Sequence, residues 1–161
     1  MRKTRHFHYS ANKAFTMVEL LLVIALFGII AGLVTSHYKE QHDQVVLDTV
    51  TSTIMLELER AHSDALAGLG GEVQSVRISS TTVTRFGGAT YDPYASDLVV
   101  FSVDPSVILS SSLPSDGVVT FARLTGETGL NATITAALID DVTKYQQVVI
   151  GSRGDVMMVS E

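Results

Sequence analysis

The chain has 161 residues, of which 46% are hydrophobic, with a mean hydropathy of +0.30 and a formal net charge of −6. That length leaves room for one modest domain beside an anchoring segment, and the absence of cysteine excludes disulfides, thiolate metal sites and cysteine nucleophiles. Charge is segregated: residues 1–14 carry four Lys/Arg and no acid, and residues 15–161 carry seven against seventeen Asp/Glu. An acidic remainder of this kind argues against a general phosphate-neutralising grip on nucleic acid, so no direct nucleic-acid binding is expected.

After the basic leader MRKTRHFHYSANKA comes Phe15–Val34, FTMVELLLVIALFGIIAGLV, whose only formal charge is Glu19. Twenty helical residues span about 30 Å, the thickness of a bilayer's hydrocarbon core. The basic leader sets the topology by the positive-inside rule: one span, with the bulk of the chain extracytoplasmic. A carboxylate inside such a span costs on the order of 2.5–3.5 kcal/mol, so Glu19 calls for a partner. A cut between Ala14 and Phe15 would create an α-amine four residues before Glu19, on the same helical face. Gly28 and Gly32 form G-x-x-x-G within the span, a spacing that suits close helix packing. Glycine is also common in membrane helices for no specific reason.

The stretch Lys13-Ala14-Phe15-Thr16-Met17-Val18-Glu19-Leu20-Leu21 resembles the cleavage and methylation site of type IV pilins and type II secretion pseudopilins. The resemblance implies that a prepilin peptidase removes residues 1–14 and methylates the new amine of Phe15. It implies that Glu19 assists assembly by neutralising the amine of a neighbouring subunit, and that the helix around Gly28 and Gly32 can loosen inside a filament, which the low helix propensity of glycine would ease. Other pilin or pseudopilin subunits, an inner-membrane assembly platform and, before assembly, membrane lipid are the implied partners. The chain departs from the pattern at Ala14, where the family usually has Gly; alanine is the next smallest residue, and cleavage is expected to survive at a lower rate. A plain signal anchor holding an extracytoplasmic binding domain or enzyme is the competing reading, and it leaves the F-T-x-x-E context of Glu19 unexplained.

Residues 36–67 contain no Pro or Gly and turn amphipathic, with Val46, Val50, Ile54 and Leu58 at i+4 steps and then Ala61 and Ala65. Gly68, Gly70 and Gly71 end the helix. Four segments result: a leader over 1–14, a filament-core or membrane helix over 15–35, its amphipathic continuation over 36–67, and a β-rich domain over 68–161. In the last, strands are predicted over Val73–Ser79, Thr81–Phe86, a buried Leu98–Val103, Val118–Leu124 and Leu130–Ile139 as a hairpin about residues 125–129, and a closing hairpin Gln147–Ile150 with Asp155–Val159. Val107-Ile108-Leu109 reads as part of a Ser-rich loop between Pro105 and Pro114. A long helix followed by antiparallel strands is α+β, with the helix covering one face of a sheet. The helix end Leu58–Ala65 and the pattern of the later strands resemble, in particular, the H-type (FimT-like) minor pseudopilins.

Candidate catalytic chemistry is absent. His6 and His8 leave with the leader, and His37, His42 and His62 lack metal-ligand spacing. Adjacent His62, Ser63 and Asp64 cannot converge from one helix. Arg153-Gly154-Asp155 has turn composition. Asp140-Asp141 offers two carboxylates where calcium takes six to eight oxygens. Neither catalysis nor a resident cofactor is expected, with calcium the single ion the sequence leaves open.

Overall fold

The computed structural model describes residues 15–159 apart from Ser115, with the backbone alone over 33–39. Helix α1, Met17–Leu66, is followed by a 3-10 turn at Leu69–Gly71 and eight strands: β1 Gln74–Ile78, β2 Thr82–Gly87, β3 Val99–Ser102, β4 Val107–Ser111, β5 Val118–Phe121, β6 Ala132–Leu138, β7 Tyr145–Ile150 and β8 Val156–Val159. The chain divides into two units at Glu40/Gln41, within α1.

In the second unit the strands form two antiparallel four-stranded sheets, ordered β3-β2-β1-β5 and β4-β6-β7-β8. The i+4 stripe of α1 accounts for the core. Leu47, Val50, Ile54, Leu58, Ala61 and Ala65 are buried against Val76, Val83, Val119 and Phe121 of the first sheet and Ile134, Val148 and Ile150 of the second. Strand alternation supplies the complementary face, as in the strict buried/half-buried alternation of β6. Ala61 and Ala65, both fully buried, let the last turns of the helix approach closely. Gly68, at φ 65, ends the helix in the left-handed conformation that favours glycine.

Three expectations are corrected. Val107–Ser111 is not loop but strand β4, because Val107 and Leu109 alternate into the core while Ile108 faces out, and the strand pairs with β6. Val118–Leu124 and Leu130–Ile139 do not form a hairpin: β5 pairs with β1 and β6 with β4 and β7, so the connection crosses between sheets. Its turn at Leu124 has φ 69, and the Leu124 N–H donates to the Ala65 carbonyl at the end of the helix. β3 is an edge strand with alternating exposure, not a buried one.

Two devices fix this unit without disulfides. Glu57, its side chain fully buried, accepts from Arg85 at 3.0 Å and Arg60 at 2.8 Å, and Arg85 also reaches Asp64 at 3.0 Å. A buried carboxylate is tolerable only when so paired, and here the pairing pins the helix to β2. At the other side, His62 lies 5.6 Å from the Phe121 ring, and its imidazole occupies the space where a Cβ on Gly126 or Gly154 would fall. Thr128 joins the two turns, donating its hydroxyl to Gly151 O and its N–H to Ser152 O.

Candidate functional site

The unabsorbed feature of the sequence is the start of α1. Thr16 caps the helix: its Oγ1 accepts from the Glu19 N–H at 3.2 Å, and its carbonyl accepts from the Leu20 N–H. Thr16-x-x-Glu19 thus has the spacing of a capping box, of which the Thr half is formed. In the sequence, [ST]-x-x-[DE] ahead of an apolar run is the signal for this cap. Glu19 falls in the first turn, where the helix dipole favours an acid. It is exposed and, among the described residues, has no ion pair.

Around it the surface is apolar on every side. Phe15 is 77% exposed, and Met17, Leu20, Leu21, Ile24, Phe27 and Ile30 are exposed with it. A helix apolar all round must be covered by lipid or by other helices. Among the described residues, a Cβ on Gly28 or Gly32 would meet nothing within 4 Å. Among the described residues no helix is both long and apolar enough to cross a membrane; described side chains in this run stop at Gly32, short of the expected Phe15–Val34 span. Ala14, the leader and its His6 and His8, and the His37 side chain lie outside the described residues.

The remaining polar candidates are structural. His62 is part of the clasp around Phe121, and His42 is exposed. Gly154, at φ 87, makes the turn between β7 and β8. The Asp141 carboxylate accepts from the Thr143 hydroxyl and N–H, and these bonds hold it below the ordinary carboxylate range; Ser106 does the same for Asp104. Among the described residues no group of three or more His, Asp or Glu is placed to hold a metal ion.

Residues 9–35 match the prokaryotic N-terminal methylation motif. No curated protein is significantly similar in sequence. The fold is similar to that of the type IV minor pilin FimU of Pseudomonas aeruginosa, at 13% identity with TM-scores of 0.58 and 0.59 in two crystal forms; the alignments cover 71% and 76% of this chain and 93% and 92% of FimU. It is also similar to the minor pseudopilin EpsH from the type 2 secretion system of Vibrio cholerae, at 13% identity and TM-score 0.53, covering 71% of this chain and 96% of EpsH. The chain therefore joins an N-terminal methylation motif to an α+β fold similar to that of minor pilins.

Proposed function

We propose that this chain is a structural subunit, a minor pilin or pseudopilin, of a type IV pilus or type II secretion filament. The observation that carries the reading is the coincidence of the methylation motif over 9–35 with a minor-pilin-like fold along most of the remaining chain. In this reading a prepilin peptidase cuts between Ala14 and Phe15 and methylates Phe15. The apolar run holds the subunit in the inner membrane as a single pass, with residues 68–161 outside the cytoplasm, until an assembly platform draws it into the filament.

The mechanism is mechanical. Exposed apolar side chains from Phe15 to Ile30 exchange lipid for the helices of neighbouring subunits. Glu19, lacking an internal partner among the described residues, takes up the Phe15 amine of the next subunit, because an unpaired carboxylate is costly in an apolar bundle. Gly28 and Gly32 permit close approach or local loosening of the same helix. The role is architectural, and the chain is the substrate of an enzyme.

Edman sequencing or mass spectrometry of the membrane-extracted protein should find N-methyl-Phe15 at the N-terminus. Intact Met1 in cells with active prepilin peptidase would overturn the reading and favour the anchored binding domain. Glu19→Ala should leave membrane insertion unchanged and lower incorporation into filaments; equal incorporation would remove Glu19 from the mechanism.

A further inference from the structure

β3 is an edge strand, and among the described residues its outward side pairs with no other strand. The ladder to β2 runs through Val103, whose N–H donates to Thr81 O, so the bonded partners continue at Phe101 and Val99. The backbone groups of Val100 and Ser102 then point away from β2, and among the described residues nothing pairs with them. Val100 is 55% exposed, and no lysine, proline or bulge lies within the four-residue strand.

Alongside this edge lies an apolar groove of about 320 Å3, between β3 and α1. Val45, Val46, Thr49 and Val50 form its helix wall, and Phe101 and Val103 its sheet wall; Val45 is 60% exposed. A free row of backbone donors and acceptors beside an apolar trough is the arrangement that accepts an added strand. The main chain pairs with the edge, and alternate side chains enter the trough.

Charge selects the occupant. Exposed Asp104 stands at one end of the edge and lines the end of the groove, and at the other end stands Asp97, whose carboxylate accepts from the Gly87 N–H of β2. Residues 41–161 carry fifteen Asp/Glu against six Lys/Arg, so a second copy would bring like charge to this edge. We propose that the β3 edge and its groove bind an extended segment of another protein, apolar at alternate positions and carrying Lys or Arg at its ends, by strand addition. This goes beyond the assembly reading above, which uses residues 15–32 and neither β3 nor the groove.

The test is fluorescence anisotropy with the full chain in detergent micelles and a labelled peptide Lys-Val-Thr-Val-Thr-Val-Lys. Two comparison peptides carry Glu at both ends, or N-methyl groups on alternate amides. The Lys-flanked peptide should bind, with the Glu-flanked one weaker on the order of tenfold and the difference shrinking with salt. The N-methylated peptide should not bind. V100P, which removes an outward N–H while sparing the ladder to β2, should abolish binding. V45K blocks the groove from the exposed side of the helix and should also abolish it; it serves as the check if V100P is poorly folded. No binding by the Lys-flanked peptide, equal binding of the Lys- and Glu-flanked peptides, or indifference to N-methylation overturns the proposal. Sedimentation showing self-association of the chain that V100P abolishes would assign the edge to a second copy instead, which also overturns it. All these outcomes are independent of Phe15 processing.

Discussion

Helix α1 carries two glutamates in apolar neighbourhoods, and the chain treats them oppositely. Glu57 is fully buried and held by Arg85 and Arg60. Glu19 is exposed among exposed apolar side chains and has no ion pair among the described residues. The difference is between a charge whose partner the chain supplies and one whose partner must arrive. The apolar residues follow the same division. The stripe from Leu47 through Val50, Ile54, Leu58 and Ala61 to Ala65 is buried by the chain's own strands, and from Phe15 to Ile30 the apolar residues are left open. One stretch is a finished fold, and the other is proposed to be half of an interface.

Breaking the finished side should cost most. Arg85→Ala leaves the fully buried Glu57 carboxylate with only the half-exposed Arg60 as a partner and should destabilise the second unit by about 3–5 kcal/mol, measured by chemical denaturation. Leu58→Ala, a fully buried position, should cost about 2–5 kcal/mol in the same measurement. Ile24→Ala, on the open side, should change it by less than about 0.5 kcal/mol. A large effect of Ile24→Ala would erase the contrast.

A smaller loss is expected at Gly154. Alanine there meets both the unfavourable φ of 87 and the space held by His62 and the Gly126 carbonyl, so Gly154→Ala should destabilise by about 1–3 kcal/mol. In the opposite direction, Leu124→Asn should stabilise by about 0.5–1 kcal/mol. Leu124 is 62% exposed with φ 69, a conformation Asn adopts more readily. The smallest effect is on pH dependence. Hydrogen bonds from Thr143 lower the Asp141 pKa below its unfolded value of 3.8, so its contribution is present above that value and is lost as pH falls through the folded pKa. Thr143→Val should raise the Asp141 pKa toward 3.8 in an NMR titration and remove that part of the acid sensitivity.

The helix and its end were legible because their causes are local: i+4 spacing writes the buried stripe, and a run of glycines writes the stop. The α+β class followed from element order. The division into two sheets was not legible, since it depends on which strands pair, and Val118–Phe121 joins a partner more than forty residues earlier. The burial of Glu57 was not legible either, because its partner Arg85 lies 28 positions away on a strand. At the candidate site, Phe15 and Glu19 stood out through a short motif with its own spacing. The β3 edge did not stand out, because LVVFSV reads as a core strand until the sheet order leaves one side of it open.

The clasp of His62, Gly126 and Gly154 also bears on how the chain is made. Residues on the helix are covered by strands as late as Val148 and Ile150, and the turn at Gly154 seals His62. During synthesis the apolar stripe of α1 therefore emerges first and waits for nearly a hundred residues before its last covering strand exists. Such non-local closure is slow and leaves aggregation-prone surface exposed in the interim. A chain stalled or clipped before β7 should depend on holding chaperones, whereas one released after Gly154 can close on itself.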